Sequence, residues 1–222
     1  MFKKLLLALI IPSIAVAMDT PITAGGSTVP SLTVTNYSSI SGNLLNWDTV
    51  EGNVRNINSA DSCTIKSFFC SVGTAPGVGK SWSFTLVDNA VDTALVCTIA
   101  DANTTGSDLS DTVTSGAGRT YSYKSVPSGT PTAPVTVGFS ILFSCGANVS
   151  PIFGGTRATT MATGATEYHS IMENAAGGAT LANKDQVIPT GGALSKMYVE
   201  LTGTPGGTAT YAFTLLKNDI TQ

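Results

Sequence analysis

Large apolar side chains recur at every second position in several short stretches of this chain, most clearly in Ser81-Trp82-Ser83-Phe84-Thr85-Leu86. A period of two puts Trp82, Phe84 and Leu86 on one face and the hydroxyl residues on the other, as in a strand with one buried side. Leu95, Cys97 and Ile99 repeat the pattern, as do Phe139, Ile141 and Phe143. Outside the N-terminal leader, apolar residues nowhere keep helical spacing for three turns. Gly, Pro, Asn and Asp punctuate the runs, and strands are predicted near 33–38, 53–58, 64–72, 81–88, 94–100, 110–115, 120–126 and 134–145. Short alternating strands at this density, in about 115 residues, predict an all-β domain of two packed sheets, and their number is that of a jelly roll. The expected fold is a jelly-roll-like β-sandwich, with an immunoglobulin-like sandwich as the second choice. Strand order is not readable from alternation.

The pattern then returns. Thr64–Leu86 reads TIKSFFCSVGTAPGVGKSWSFTL, and Leu194–Leu215 reads LSKMYVELTGTPGGTATYAFTL. Lys66 answers Lys196, Gly73 answers Gly203, and Trp82, Phe84 and Leu86 answer Tyr211, Phe213 and Leu215. Upstream, Thr35–Ile40 answers Thr166–Ile171. A second partial copy of the domain is therefore expected over 166–222, with strands near 166–171, 183–188, 194–202 and 209–217. Nothing in it answers residues 93–145. A half sandwich exposes an apolar face and open strand edges. The expectation is first that the sequence is a piece of a longer one. The alternatives are completion by a strand from another subunit, or packing on the first domain.

The domain layout that follows is a signal peptide at 1–17, a linker or N-terminal arm at 18–33, a β-sandwich at 34–146, a Gly/Thr-rich linker at 147–165 and the partial repeat at 166–222. The leader reads as Lys3 and Lys4, an apolar run over Leu5–Ile14, and an Ala15-Val16-Ala17 cleavage site. Met18 directly after it is an alternative start. No span of a membrane is expected once the leader is removed.

Apolar residues make up 42% of the chain and charged residues only 11%, so Thr, Ser, Asn and Gly must cover the surface. Loss of Lys3 and Lys4 leaves nine basic against fourteen acidic residues and moves the formal charge from −3 to −5. Such a balance has no footprint for nucleic acid. The four cysteines, Cys63, Cys70, Cys97 and Cys145, all lie in the first copy. In an exported chain they imply two disulfides, with three connectivities open. Their spacing is not that of a zinc site.

Motifs with possible chemistry resolve into structural features. Gly73–Ser81 resembles a phosphate-binding loop, but the glycine spacing is wrong and a strand follows, so a hairpin turn is expected there. Asp101–Asp111 begins like a calcium loop, but Thr112 stands where the bidentate acid belongs, and a polar inter-strand loop is expected. His169 is the only histidine and reads as a surface strand residue. Asn36, Asn103 and Asn148 start glycosylation triplets of a kind that arises by chance in so Asn/Thr-rich a chain. Trp82 belongs to the core by alternation. Trp47, outside any clear strand, is the candidate ligand-binding aromatic, weighed against packing under a loop.

The stretch from Ala75 to Phe143 resembles a repeat of tailed-phage virion and tail-associated proteins and of environmental bacterial surface proteins. The resemblance runs through APGVGKSWSFTL, the Asn89 turn, DTALVCTI, TTGSD, VPSGTPTAPV and FSILF. It implies a jelly-roll-like sandwich with a structural or surface-binding role, and brings no catalytic residues with it. The expected function is that of a non-enzymatic structural or attachment protein, secreted, at the cell surface or in a virion. Its expected partners are itself, other surface or virion proteins, or glycans. A carbohydrate-binding module or adhesin is the second expectation, and a carboxylate hydrolase a remote third. No catalytic residue, metal ligand or cofactor is expected.

Overall fold

A computed structural model describes residues 19–43, 47–58, 62–146, 149–155, 161–171, 177–184, 193–201, 203–217 and 220–221. The expected leader lies outside them. In chain order the strands are β1 (Asp19–Gly26), β2 (Asn36–Ser38), β3 (Gly42–Asn43), β4 (Asn56–Asn58), β5 (Ser62–Val72) and β6 (Gly77–Asp88). They continue with β7 (Val91–Asp101), β8 (Thr105–Gly116), β9 (Thr120–Ser128), β10 (Val137–Cys145) and β11 (Phe153–Gly155). Two-residue strands β12 (Leu216–Lys217) and β13 (Ile220–Thr221) close the chain. The protein is all-β, a sandwich of two sheets. One has the order β3-β1-β10-β5-β8 and the other β11-β4-β9-β6-β7, with β2 also on β9. Pairing is antiparallel except for the short parallel match of β3 to β1.

Alternation builds the core as expected. Trp82, Phe84, Leu86, Leu95, Cys97, Ile99, Ile141 and Phe143 are all fully buried between the sheets. Phe139 packs edge-on to Phe84 at 4.9 Å between centroids, and Phe68 stacks on Tyr123 at 5.1 Å. The β6–β7 hairpin turns on Asn89 and Ala90, both at positive φ (49° and 64°). That is the backbone of a two-residue turn whose twist matches its strands.

Two disulfides hold the sandwich. Cys70–Cys97 ties β5 in one sheet to β7 in the other, and Cys63–Cys145 joins register partners on β5 and β10. Disulfides persist in oxidising surroundings, so the pair suits an extracellular or otherwise oxidising environment. Among the described residues no helix is long and apolar enough to cross a membrane.

The structure differs from the sequence reading in three places. Residues 19–26, within the expected linker or arm, form β1, paired along its whole length with β10. Residues 73–76 are not a hairpin turn: β5 and β6 lie in different sheets, and the segment crosses between them. Gly73 is required in that crossing, because a Cβ there would come 2.7 Å from Thr136 Oγ1 and 3.0 Å from the Thr136 amide nitrogen. Third, the strands expected at 166–171 and 194–201 do not form, and of 209–217 only β12 does. Tyr168 makes an isolated bridge to Gly178, and a short 3-10 turn occupies Leu181–Asn183. Positions 185–188 lie outside the described residues. The segments carry alternation, but among the described residues no neighbouring strand pairs with 166–171 or 194–201, and a strand without a ladder is not stable.

Candidate binding face

The outer face of the β1/β10/β5/β8 sheet is laid out by register. Gly25, Gly138, Ser71 and Thr105 lie across neighbouring strands in one row. The next row is Thr23, Ser140, Phe69 and Ser107, and a further row ends the face with Asp19, Ser144, Thr64 and Thr114. A fourth row, Pro21, Leu142, Lys66 and Thr112, lies between the last two, so most positions are Gly, Ser or Thr and the exceptions are Phe69, Pro21, Leu142, Lys66 and Asp19.

Phe69 stands out on this face, 46% exposed beside the fully buried Phe68. Two adjacent residues of a strand face opposite sides, so one of the pair had to point outward. Counting by twos from Cys63 and Ile65 would send Phe69 inside, whereas counting back from Val72 and Cys70 sends Phe68 inside. A bulge settles the conflict: the register shifts between Lys66 and Phe68, with Ser67 at φ 55°. An extra residue there flips the face of everything after it.

Beside Phe69 lies a shallow trough of about 330 Å³, bordered by Ser71, Thr105, Gly138 and Ser140. Gly138 borders it without a side chain of its own. A Cβ on Gly138 would come 2.9 Å from Ser71 Oγ. Charge on this face sits further along the strands, where Lys66 Nζ is 3.1 Å from Asp19 Oδ2. The Ser144 hydroxyl and then Lys66 hold the Asp19 carboxyl below its ordinary value.

The residues singled out from sequence fall elsewhere. Trp47 is partly buried against the core, 6.4 Å from Phe84 and 6.3 Å from Phe139 between centroids. Its indole N–H donates to the Thr28 carbonyl at 3.2 Å. It is partly packed against the core beside Thr28, as the loop-packing alternative expects. Cys63, Cys70, Cys97 and Cys145 are all disulfide-bonded.

At the phosphate-loop look-alike, the Gly79 amide donates to Asp101 Oδ1 at 2.7 Å, so a carboxylate of the chain itself faces that amide. The calcium-loop look-alike is partly strand, since β8 begins at Thr105. Its Asp108 accepts from the amides of Val96, Ser110 and Asp111 at 3.0–3.1 Å. Burial opposes the charge on Asp108, but those amide bonds outweigh it and lower the pKa. Asp88, the other buried acid, accepts two bonds from Arg119 Nε, at 2.7 and 2.9 Å. Burial, first of all, pushes the Tyr121 hydroxyl up to about 12.

His169 sits at the surface with Nε2 3.7 Å from Glu167 Oε2, outside any strand. Asn36 is buried, its side-chain oxygen accepting from the Ser31 amide at 2.7 Å, so its triplet is closed to modification in the fold. Asn148 lies outside the described residues. Among the described residues no three of His, Cys, Asp and Glu gather as metal ligands would.

No protein-family model, curated protein or solved structure matches the chain at a significant level.

Proposed function

We propose that this chain is a non-enzymatic, exported protein of a virion or cell surface, a jelly-roll-like sandwich that acts in attachment or assembly. The observation that supports this most is the flat, charge-poor hydroxyl face of the β1/β10/β5/β8 sheet with Phe69 open upon it. A ladder-built face of this kind offers a rigid contact surface. The buried carboxylates, meanwhile, serve backbone amides and Arg119. The disulfides suit an extracellular setting, and the leader pattern and the likeness to virion repeats point the same way. The test is direct: purified, oxidised protein is assayed for self-association by light scattering and for binding to whole cells and glycans. Concentration-dependent assembly or saturable surface binding is expected. A strictly monomeric protein that binds neither cells nor glycans would contradict the proposal.

A second reading, a secreted carbohydrate-binding module or adhesin, is favoured by the exposed aromatic on a charge-poor face.

A further inference from the structure

We infer that the trough beside Phe69 is a subsite for a neutral saccharide, one sugar ring lying on Phe69 with its hydroxyls towards Ser71 and Ser140. The inference rests on the attachment reading above and gives that reading a ligand class.

An isolated exposed phenylalanine needs no explanation by itself. Here it has a built neighbourhood. Gly138 borders the trough without a side chain of its own, and a Cβ there would come up against Ser71 Oγ. Ser71 and Ser140, on adjoining strands, border the trough with hydroxyls; that of Ser71 donates a long bond, 3.4 Å, to the Gly138 carbonyl and keeps its lone pairs to accept. A sugar ring presents the matching chemistry: an apolar C–H face for the aromatic and a rim of hydroxyls for the serines. Mixed lining of this sort, mostly apolar with a few polar groups, is how small-molecule sites fix orientation.

Charge selects among saccharides. No ionisable side chain borders the trough, and the nearest charges on the face, Lys66 and Asp19, are paired with each other. Nothing there would compensate a carboxylate, sulfate or phosphate, so a neutral sugar fits and a sialic or uronic acid does not. Size points to a small ligand over a protein. The volume, about 330 Å³, lies at the low end of the range for small-molecule sites. A stable protein interface needs several hundred Å² of complementary surface on each partner, about 800 Å² as a rule. The site is also pre-ordered: Cys70, next to Phe69, is covalently tied to β7 behind the sheet. Rigidity of that kind lowers the entropy lost on binding.

The experiment is a titration of ¹⁵N-labelled, disulfide-intact protein with neutral gluco-, manno-, xylo- and chito-oligosaccharides, read by amide chemical shifts. Matched acidic oligosaccharides serve as the control. Saturable shifts centred on Ser71, Gly138 and Ser140 are expected with at least one neutral series and not with the acidic ones. Phe69→Ala should weaken that binding by about tenfold or more, and Phe69→Tyr should retain it, since tyrosine keeps the aromatic ring. Absence of shifts with every neutral series would overturn the inference, as would binding that survives Phe69→Ala. Capture of a protein at this face, undisturbed by competing sugar, would reassign the face to a protein partner. Cell attachment is measured in parallel to separate the two claims. Attachment that persists in Phe69→Ala removes the sugar subsite and leaves the attachment reading. Oligosaccharide shifts in a protein that attaches to no surface remove the attachment reading and leave the subsite.

Discussion

Trp82, Phe84 and Leu86 in β6 are wholly buried, while their sequence counterparts Tyr211, Phe213 and Leu215 are all at least partly exposed, Phe213 by 37%. The same contrast holds one strand earlier. β5 lies between β10 and β8, with Ile65 and Phe68 sealed. In its counterpart, Tyr198, which answers Phe68, is 38% exposed, and no described residue pairs with the segment in a ladder. What the later segment touches is incidental by comparison: an ion pair from Arg55 to Glu200 at 3.4 Å, and Tyr198 lying over Gly118. Alternation states which side of a strand can be buried. Neighbouring strands decide whether there is a strand at all, because they supply both the hydrogen-bond partners and the opposing sheet.

The difference can be broken or sharpened by perturbing matched positions. The largest effect is expected from the disulfides, which exist only in the first region. Cys63–Cys145 closes 82 residues and Cys70–Cys97 closes 27. Chain-entropy arguments assign them about 4.5 and about 3.6 kcal/mol respectively. Reduction should shift the denaturation midpoint of the sandwich sharply and leave amide exchange in 194–215 unchanged.

Next comes a matched pair of truncations. Phe84→Ala opens a cavity in a sealed core and should cost about 3–5 kcal/mol. Phe213→Ala, at the equivalent position, should stay within about 0.5 kcal/mol. Equal costs in urea titrations would mean that the two segments are packed alike.

Acid should act on the first region alone. Asp108 is held below its unfolded value by backbone amides, so its stabilisation is complete above the unfolded pKa, near 3.9, and is lost as pH falls through the lower folded value. Asp108→Asn should lower stability at neutral pH by about 1–2 kcal/mol and flatten the acid limb of a stability–pH curve. Asp48, lowered first by the Val50 amide and then by the Asn53 side chain, leaves a residual slope.

The smallest effect is expected where the two regions meet. Glu200→Gln removes an exposed ion pair and should change stability by about 0–1 kcal/mol, less at high salt.

Much of the first region was legible because large residues alternate with small polar ones. All the strands read there exist, though β8 begins earlier than expected, at Thr105. Its first residues lack alternation because β8 is an edge strand. Gly106 there must stay bare: a Cβ would lie 2.3 Å from the Thr98 carbonyl oxygen. β1 escaped notice for a similar reason. Its buried side carries Ala24 and its line contains Pro21, which reads as linker. Proline is tolerated because β3 pairs with β1 only at Ala24 and Gly25, leaving Pro21 on a free edge. Disulfide pairing was not legible, since it depends on how strands are ordered across two sheets. Trp47 is covered through loop packing that no periodicity encodes, whereas the adjacent Phe68 and Phe69 already required one ring to face out.

Hydrogen–deuterium exchange of the oxidised protein, comparing amides of 64–72 and 81–88 with those of 194–201 and 211–215, tests the central claim most directly. The account predicts strong protection in the first pair and exchange close to that of an unstructured chain in the second. Comparable protection in both, in isolated protein, would contradict it.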